Sequence, residues 1–304
     1  MAVDILITII LPIFVIIGVG YAADRALKID LQTLSKLNFY ITLPALILIK
    51  TLDAGLSPAL YGTVVLFTVI QFAVLLVICR LAFRARPLKR HATVLTLGAV
   101  FYNAGNFGLP LAQLAFGSQG TGVLAIVMMV QNFLTFTWGV WLMDVQKRSW
   151  RRAALDLLKV PVLWAVVAAV ALGAWGITLP PPIYTPLSYL GDATIPLALM
   201  TLGIQLSRSR LFGELAPLTA AAATRLLLSP ALALLMVGAW AIAVPGGVGE
   251  IGPVLIVAAG LPVAVNVYIL SVEYQRDATL ASQMVVWTTL LSAITLTGWL
   301  LAVK

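Results

Sequence analysis

Charged residues are scarce in this chain of 304 residues: only 10% are Asp, Glu, Lys or Arg, against about 25% in ordinary soluble domains. Apolar side chains make up 62% of the sequence, and the mean hydropathy is +1.05. A soluble fold of this size needs a polar surface that so few charges cannot supply, which excludes a soluble globular protein. We therefore expect an all-α polytopic membrane protein with little mass outside the bilayer.

Cysteine and histidine are almost absent, with one of each. Cys79 lies inside an apolar run and can form no internal disulfide. His91 lies in a basic loop, where we expect it to be solvated. An intramembrane enzyme would need a Ser–His pair, two Asp residues or an HExxH motif at depth, and the apolar segments contain none of these. We therefore expect neither an enzyme nor a metal site, and no cofactor.

Ten apolar runs are long enough to cross a bilayer as helices, which need about 20 residues each. The predicted spans are residues 4–23, 34–52, 58–82, 92–116, 121–143, 157–178, 187–206, 213–243, 251–272 and 278–302.

Basic residues are distributed unevenly between the connecting segments. Sixteen of the nineteen Lys and Arg residues follow the odd-numbered spans, whereas Lys50 and Lys304 lie on the opposite side and Arg225 lies within span eight. By the positive-inside rule the sixteen are cytoplasmic, and both termini face out. The net charge of +8 thus reflects topology and contact with anionic lipid. Nucleic-acid binding is not expected, because no basic domain exists.

Two short motifs recur in corresponding spans. The LPAL of residues 43–46 resembles the IPLAL of residues 195–199, and the GLP of residues 108–110 recurs at residues 260–262. In both cases the prolines are 152 residues apart, which is half the chain.

This common offset predicts an internal repeat with halves at residues 1–152 and 153–304. Each half holds five spans, and an odd number of spans inverts the second half relative to the first. Inverted repeats are typical of secondary transporters, whose binding sites lie near the membrane midplane at broken helices.

Helix breaks are predicted in spans four and nine. Span four places two Gly, two Asn and Pro110 within residues 101–110, and span nine carries Pro262 followed by Asn266. Proline lacks an N–H and clashes with the carbonyl four residues back. A break exposes the N-terminus of the second half-helix, which suits an anion. The alternative is a proline-kinked helix with small residues for close packing.

Candidate substrate-binding residues gather at these breaks and at polar positions in spans five and eight. They are Asn103, Asn106, Gly108, Pro110, Gln131, Asn132, Pro262, Val263, Asn266 and Arg225.

Arg225 and Asp192 are the charged residues that clearly enter the spans. An arginine at membrane depth marks a substrate pathway or a structural partner. Arg225 therefore either attracts an anionic substrate, pairs with Asp192, or caps the carbonyls of a broken helix. Asp192 is a candidate for proton coupling, with exposure to an outer vestibule as the alternative.

The runs NAGNFGLP at 103–110, GLPVAVNVY at 260–268 and Gln131-Asn132 followed by TWG at 137–139 resemble the auxin efflux carrier family. That family includes plant PIN-type carriers and bacterial malate and malonate permeases. The resemblance implies a ten-helix fold related to the bile-acid/sodium symporters, in the bacterial inner membrane. Helices 1, 2, 6 and 7 would form a scaffold, through which a homodimer could form. Helices 3–5 and 8–10 would form a transport domain whose helices 4 and 9 cross at their prolines.

The resemblance also implies a secondary transporter of small organic anions, such as malate, malonate or auxin-like acids, working by an elevator-type movement. Span three lacks the Asp and Lys that plant carriers hold beside the substrate, and Gln71 is its only strongly polar side chain. This difference argues against auxin itself. Two alternatives remain open: a sodium-coupled bile-acid-type symporter, which strictly sodium-dependent uptake would reveal, and an anion channel, which single-channel currents would reveal.

Overall fold

A computed structural model describes residues 2–55, 58–85, 88–143, 161–209, 213–244, 248–249 and 251–303. This part of the chain is helical with short connections, and its one β-type contact is an isolated bridge. We number the helices in chain order: α1 Ala2–Leu27, α2 Leu31–Ala54, α3 Pro58–Ala82, α4 Ala92–Val100, α5 at 104–116, α6 at 118–143, α7 Pro161–Ala174, α8 Pro181–Ser207, α9 Leu215–Ala243, α10 Gly252–Ala259, α11 Val265–Glu273 and α12 Ala278–Val303.

Seven helices of the described segments are long and apolar enough to cross a membrane, which makes this a polytopic membrane protein. One of the seven is the 40-residue stretch Ala104–Met143, which contains both α5 and α6. Gly117 divides it, because its φ of 66° is non-helical. The other predicted spans fall on α7, which is shorter, and on the two interrupted pairs α4–α5 and α10–α11. Residues 157–160 of predicted span six lie outside the described residues.

Four helices absorb a proline in a wide π-helical turn. In each of them the π-turn ends two residues before the ring, at Pro12, Pro44, Pro110 and Pro230. A proline removes one N–H from the helix and its ring collides with a carbonyl of the preceding turn. The extra residue of a π-turn shifts the hydrogen-bond ladder at that point and makes room for the ring.

The break predicted within residues 101–110 of span four lies at the start of that range and not at its proline. Pro110 lies inside the helical stretch that begins at Ala104, and the chain leaves the helix earlier, at Phe101. In span nine the interruption does include the proline, because α10 ends at Ala259 and α11 begins at Val265. The two GLP motifs thus occupy different positions relative to their breaks.

Close helix packing holds the long helices together. Helix α1 packs along α8, and α2 packs against α6, α7 and α8. On the other side of the molecule, α9 packs against α10 and α12, and α11 packs against α12. This arrangement brings the α4–α5 and α10–α11 interruptions face to face in the interior.

Candidate functional site

The two interrupted segments pair with each other through their backbones. The Asn103 N–H donates to the Pro262 carbonyl at 2.8 Å, and the Ala264 N–H donates to the Phe101 carbonyl at 3.1 Å. An antiparallel bridge joins Tyr102 to Val263. Unpaired backbone groups cost several kcal/mol each in hydrocarbon, so each break supplies partners that the other needs.

Side chains complete this pairing. The Val263 N–H donates to the Thr288 hydroxyl of α12 at 3.0 Å, and the Asn106 N–H donates to the Asn103 side-chain oxygen at 3.1 Å. Asn103 is thus the N-cap of α5, a position that Asn favours. Its own carbonyl accepts from the Gly108 N–H at 2.9 Å. Thr288 is not among the site residues predicted from the sequence, although it supports the break.

Two helix N-termini meet beside a cavity of about 230 Å³. The first residues of α5 and of α11 both contribute to its wall. The first N–H groups of a helix have no partner within that helix, and this end carries a partial positive charge. We call this space the central cavity; it is lined by Ser35, Asn38, Phe39, Leu43, Tyr102, Asn103, Ala104, Gly105, Asn106, Met128, Gln131, Asn132, Thr135, Thr201, Gln205, Ala264, Val265, Asn266 and Ile269.

The lining is polar but carries no formal charge, because none of these residues is Asp, Glu, Lys, Arg or His. Three of its amide atoms are buried without a hydrogen-bond partner: Asn103 Nδ2, Gln131 Oε1 and Gln205 Oε1. A buried polar atom left unpaired costs about 1–3 kcal/mol. An amide can present either its N–H or its C=O by turning about its last bond. The central cavity therefore offers a polar ligand several groups that nothing in the protein satisfies.

Half of the predicted site residues line the central cavity. Asn103 and Asn106 come from α5 and the break before it, and Asn266 comes from α11. Gln131 and Asn132 are adjacent in α6, and both reach the wall.

The other predicted residues do not line the central cavity. Pro262 and Val263 are used in the backbone pairing of the breaks. Gly108 lets α5 approach the other break, because a Cβ there would lie 2.7 Å from Leu261 Cδ1. Pro110 is buried in the helix beyond it.

Arg225 is fully buried behind the central cavity. Its guanidinium donates to the Ala99 carbonyl at 2.6 Å and to the Ala259 carbonyl, which belong to the last turns of α4 and α10. Of the alternatives for this residue, the structure shows the capping of broken-helix carbonyls. Arg225 does not line the cavity, so it would not touch a substrate bound there.

The ion pair between Arg225 and Asp192, another of those alternatives, is absent from the described structure. Asp192 pairs instead with Lys50 at 3.4 Å, and its side chain is 60% exposed. The two residues lie in different surroundings. Asp192 is in the first half of α8, whereas Arg225 is buried in the π-helical turn of α9.

His91 is not solvated as predicted. Its Nδ1 lies 2.8 Å from Asp277, and its side chain is only 12% exposed. Arg90 next to it pairs with Glu214. These residues join the starts of α4, α9 and α12 at one end of the molecule. Among the described residues, no group of three or more His, Cys, Asp and Glu side chains could hold a metal ion.

Helices α2 and α8 supply the wall residues that sequence reasoning missed. Ser35 and Asn38 come from the first turns of α2, and Thr201 and Gln205 come from the end of α8. Polar side chains within predicted spans were the available signal, but helix packing explains such residues equally well.

A second cavity of about 550 Å³, which we call the vestibule, continues from the central cavity toward the end of α8. The two share Ser35, Gln205, Val265 and Ile269 in their walls. Arg208 lines the far end of the vestibule and pairs with Asp24 of α1 at 2.6 Å. Hydrogen bonding to Asp24 raises the pKa of Arg208 above its ordinary value, and the carboxylate of Asp24 balances its positive charge. Asp30 also lines this cavity, so the vestibule carries an acidic as well as a basic side chain.

Sequence comparisons point to transport. A protein of Methanothermobacter thermautotrophicus named "Uncharacterized transporter" is 29% identical over 300 residues, covering 95% of this chain and 96% of that protein. A protein of Rhizobium meliloti named "Putative malonate transporter" is 27% identical over 310 residues, covering 97% and 95%. An uncharacterized transporter of Methanocaldococcus jannaschii is 29% identical over 68% of each chain.

The family model described as "Membrane transport protein" matches residues 5–154 and 146–300, which together span nearly the whole chain. This agrees with the motifs around both breaks, with the apolar helices and with the transporters named above. The chain therefore belongs to the membrane transport protein family, the family of the auxin efflux carriers that its sequence resembles.

Proposed function

We propose that this protein is a secondary carrier of small carboxylates and that the central cavity is its substrate site. The observation that carries the proposal is the meeting of two helix N-termini with the unpaired amides of Asn103 and Gln131 in one small space. The free N–H groups at a helix N-terminus can donate hydrogen bonds to a carboxylate. The cavity is smaller than the roughly 300–1,000 Å³ pockets that hold drug-sized ligands, which favours a compact acid such as malonate.

We further propose that the chain forms ten spans in two inverted repeats. The pairs α4–α5 and α10–α11 would each count as one interrupted span, and their backbone pairing would be the crossover of helices 4 and 9. Helices α1, α2, α7 and α8 would be the scaffold, and the remaining helices would carry the site past it in an elevator-type movement. The site lies between these groups, because α2 and α8 contribute one wall and α5, α6 and α11 the other.

The sidedness of the site follows from the distribution of charge. The vestibule opens near Arg208, in a segment that the positive-inside rule places in the cytoplasm. We infer an inward-open arrangement in a bacterial inner membrane, with both termini outside. A substrate anion would enter or leave through the vestibule, past the ion pair of Arg208 with Asp24.

The proposal predicts that purified protein binds malonate and carries it across a membrane. Thermal-shift titration should show stabilisation that saturates with malonate, and proteoliposomes should take up labelled malonate with saturable kinetics. Malonamide, the neutral diamide, is the matched control and should do neither. Replacing sodium with choline should leave uptake unchanged; uptake that stops without sodium would favour the sodium symporter instead. Unsaturable currents without counterflow would favour a channel.

Asp192 remains our candidate for proton coupling, now through its pair with Lys50. Its side chain is 60% exposed, and the proposed topology places it toward the outer side, where it would exchange protons with the outer medium. Asp192→Asn should flatten the pH dependence of malonate uptake while leaving malonate binding at neutral pH unchanged. The measurement is uptake at several external pH values at constant membrane potential, with Lys50→Gln as a control for loss of the ion pair. An unaltered pH profile in Asp192→Asn would remove Asp192 from the mechanism.

A further inference from the structure

Arg225 joins the two interrupted spans behind the central cavity. Its Nη1 donates to the Ala99 carbonyl, and its Nη2 donates to the Ala259 carbonyl and lies 2.5 Å from Ser229 Oγ. The last carbonyls of a helix have no partner within the helix, and a cation there interacts favourably with the helix dipole. One side chain thus caps the C-terminal ends of both α4 and α10.

The charge of Arg225 is not balanced by an acid in the described structure. The acidic side chains that form ion pairs there do so with Lys50, Arg90, His91 and Arg208. The ionisable neighbours of Arg225 are Tyr102 and Cys79, which are neutral at physiological pH. A buried cation without a counterion is costly, and at membrane depth it marks a functional position.

Tyr102 separates this cation from the central cavity. The guanidinium carbon lies 4.7 Å from the centre of the Tyr102 ring, in a cation–π contact. Tyr102 also lines the central cavity. The positive charge therefore stands one aromatic ring away from the site, in surroundings where water screens it little.

The helix ends alone give the site little net charge. A helix end carries roughly half an elementary charge, positive at the N-terminus and negative at the C-terminus. The C-termini of α4 and α10 lie only a few residues from the N-termini of α5 and α11, so the four ends nearly cancel. Arg225 covers both negative ends and adds one full positive charge.

We infer that Arg225 is a positioning residue that sets the charge preference of the central cavity: it makes the site select dianions over monoanions without touching the substrate. The inference rests on the proposed function, since it assumes that carboxylates bind in the central cavity. Its specific content is the preference for malonate over malonamate, the half-amide of nearly the same size with one negative charge fewer.

Ser229 provides the sharpest test, because it contacts the guanidinium from the side away from the cavity lining. Ser229→Asp would place a carboxylate on Arg225 and neutralise it, whereas Ser229→Asn adds the same bulk without charge. The measurement is the ratio of the dissociation constants of malonamate and malonate for each purified variant. Ser229→Asp should lower the ratio about tenfold relative to Ser229→Asn, as expected when a nearby full charge is cancelled.

Variants at Arg225 itself provide a second comparison. Arg225→Lys keeps the charge and should keep the wild-type ratio of dissociation constants. Arg225→Gln removes the charge and should lower that ratio about tenfold. If the role of Arg225 were purely structural, Arg225→Gln would lower thermal stability and weaken the binding of both ligands equally, which would leave the ratio unchanged. An unchanged ratio in Ser229→Asp or in folded Arg225→Gln overturns the inference, and so does a wild-type protein without a preference for malonate. If wild type binds neither acid, the proposed function fails instead.

Discussion

Replacing Asn103 by Asp should abolish malonate binding and leave the fold intact. The Asn103 side chain has two separate duties: its oxygen accepts from the Asn106 N–H to cap α5, and its Nδ2 is buried in the central cavity without a partner. Aspartate still caps α5, because it is an equally good N-cap. In place of the Nδ2 donor it puts a negatively charged oxygen where a carboxylate would bind.

The expected loss of affinity is at least about a hundredfold, from a lost hydrogen bond to a charged ligand, worth roughly 1.5–3 kcal/mol, together with repulsion between like charges. Ser at position 103 is the matched control, because it retains a capping oxygen and removes only the donor. Asn103→Ser should bind about tenfold more weakly than wild type. Titration calorimetry gives the affinities, and the melting temperature of each variant shows whether the N-cap of α5 still stabilises the protein.

These variants also distinguish a binding role from a capping role. If capping were the only function of Asn103, then Asn103→Asp and Asn103→Ser would both bind malonate as wild type does, and only Asn103→Ala would lose stability, by about 1 kcal/mol. Full binding by the aspartate variant would place the carboxylate elsewhere.

The sequence predicted the helical membrane class and the importance of both interrupted spans, because these depend on local composition. It predicted Asn103, Asn106 and Asn266 beside the two helix breaks, and in the structure these residues also line the central cavity. It could not show that the first break lies before Pro110, because a proline removes one hydrogen bond wherever it stands, but a π-turn can absorb it. Whether a π-turn forms depends on the packing around the helix.

The parts of the site that span long distances in sequence could not be predicted. The wall formed by Asn38 and Gln205 depends on how α2 and α8 pack against the interrupted spans. The partners of Arg225 are carbonyls, and a carbonyl leaves no trace in the sequence because every residue has one. The sequence could therefore offer carbonyl capping and an ion pair with Asp192 only as alternatives.

Replacing Gly203 by Ala should give the largest loss of stability from a single added methyl group. Gly203 of α8 lies directly on the backbone of α1: a Cβ would overlap the Ile17 carbonyl oxygen and lie 2.8 Å from the Tyr21 nitrogen. Gly20 faces the Met200 backbone in the same interface. Glycines at such crossings let helices in a membrane approach closely, because packing rather than hydrophobicity drives their association.

A methyl group here meets backbone on both sides, so no side-chain rotation can relieve the overlap. The two helices must move apart, which we expect to cost about 3 kcal/mol and lower the melting temperature in detergent by roughly 5 °C or more. Gly18→Ala is the matched control, because Gly18 lies in α1 where an added Cβ would have no neighbouring atom within 4 Å, and alanine there should be neutral or slightly stabilising. Equal melting temperatures for the two variants would show that α1 and α8 are less closely packed than the structure has them. A selective loss in Gly203→Ala would show that α1 and α8 pack backbone to backbone at this crossing.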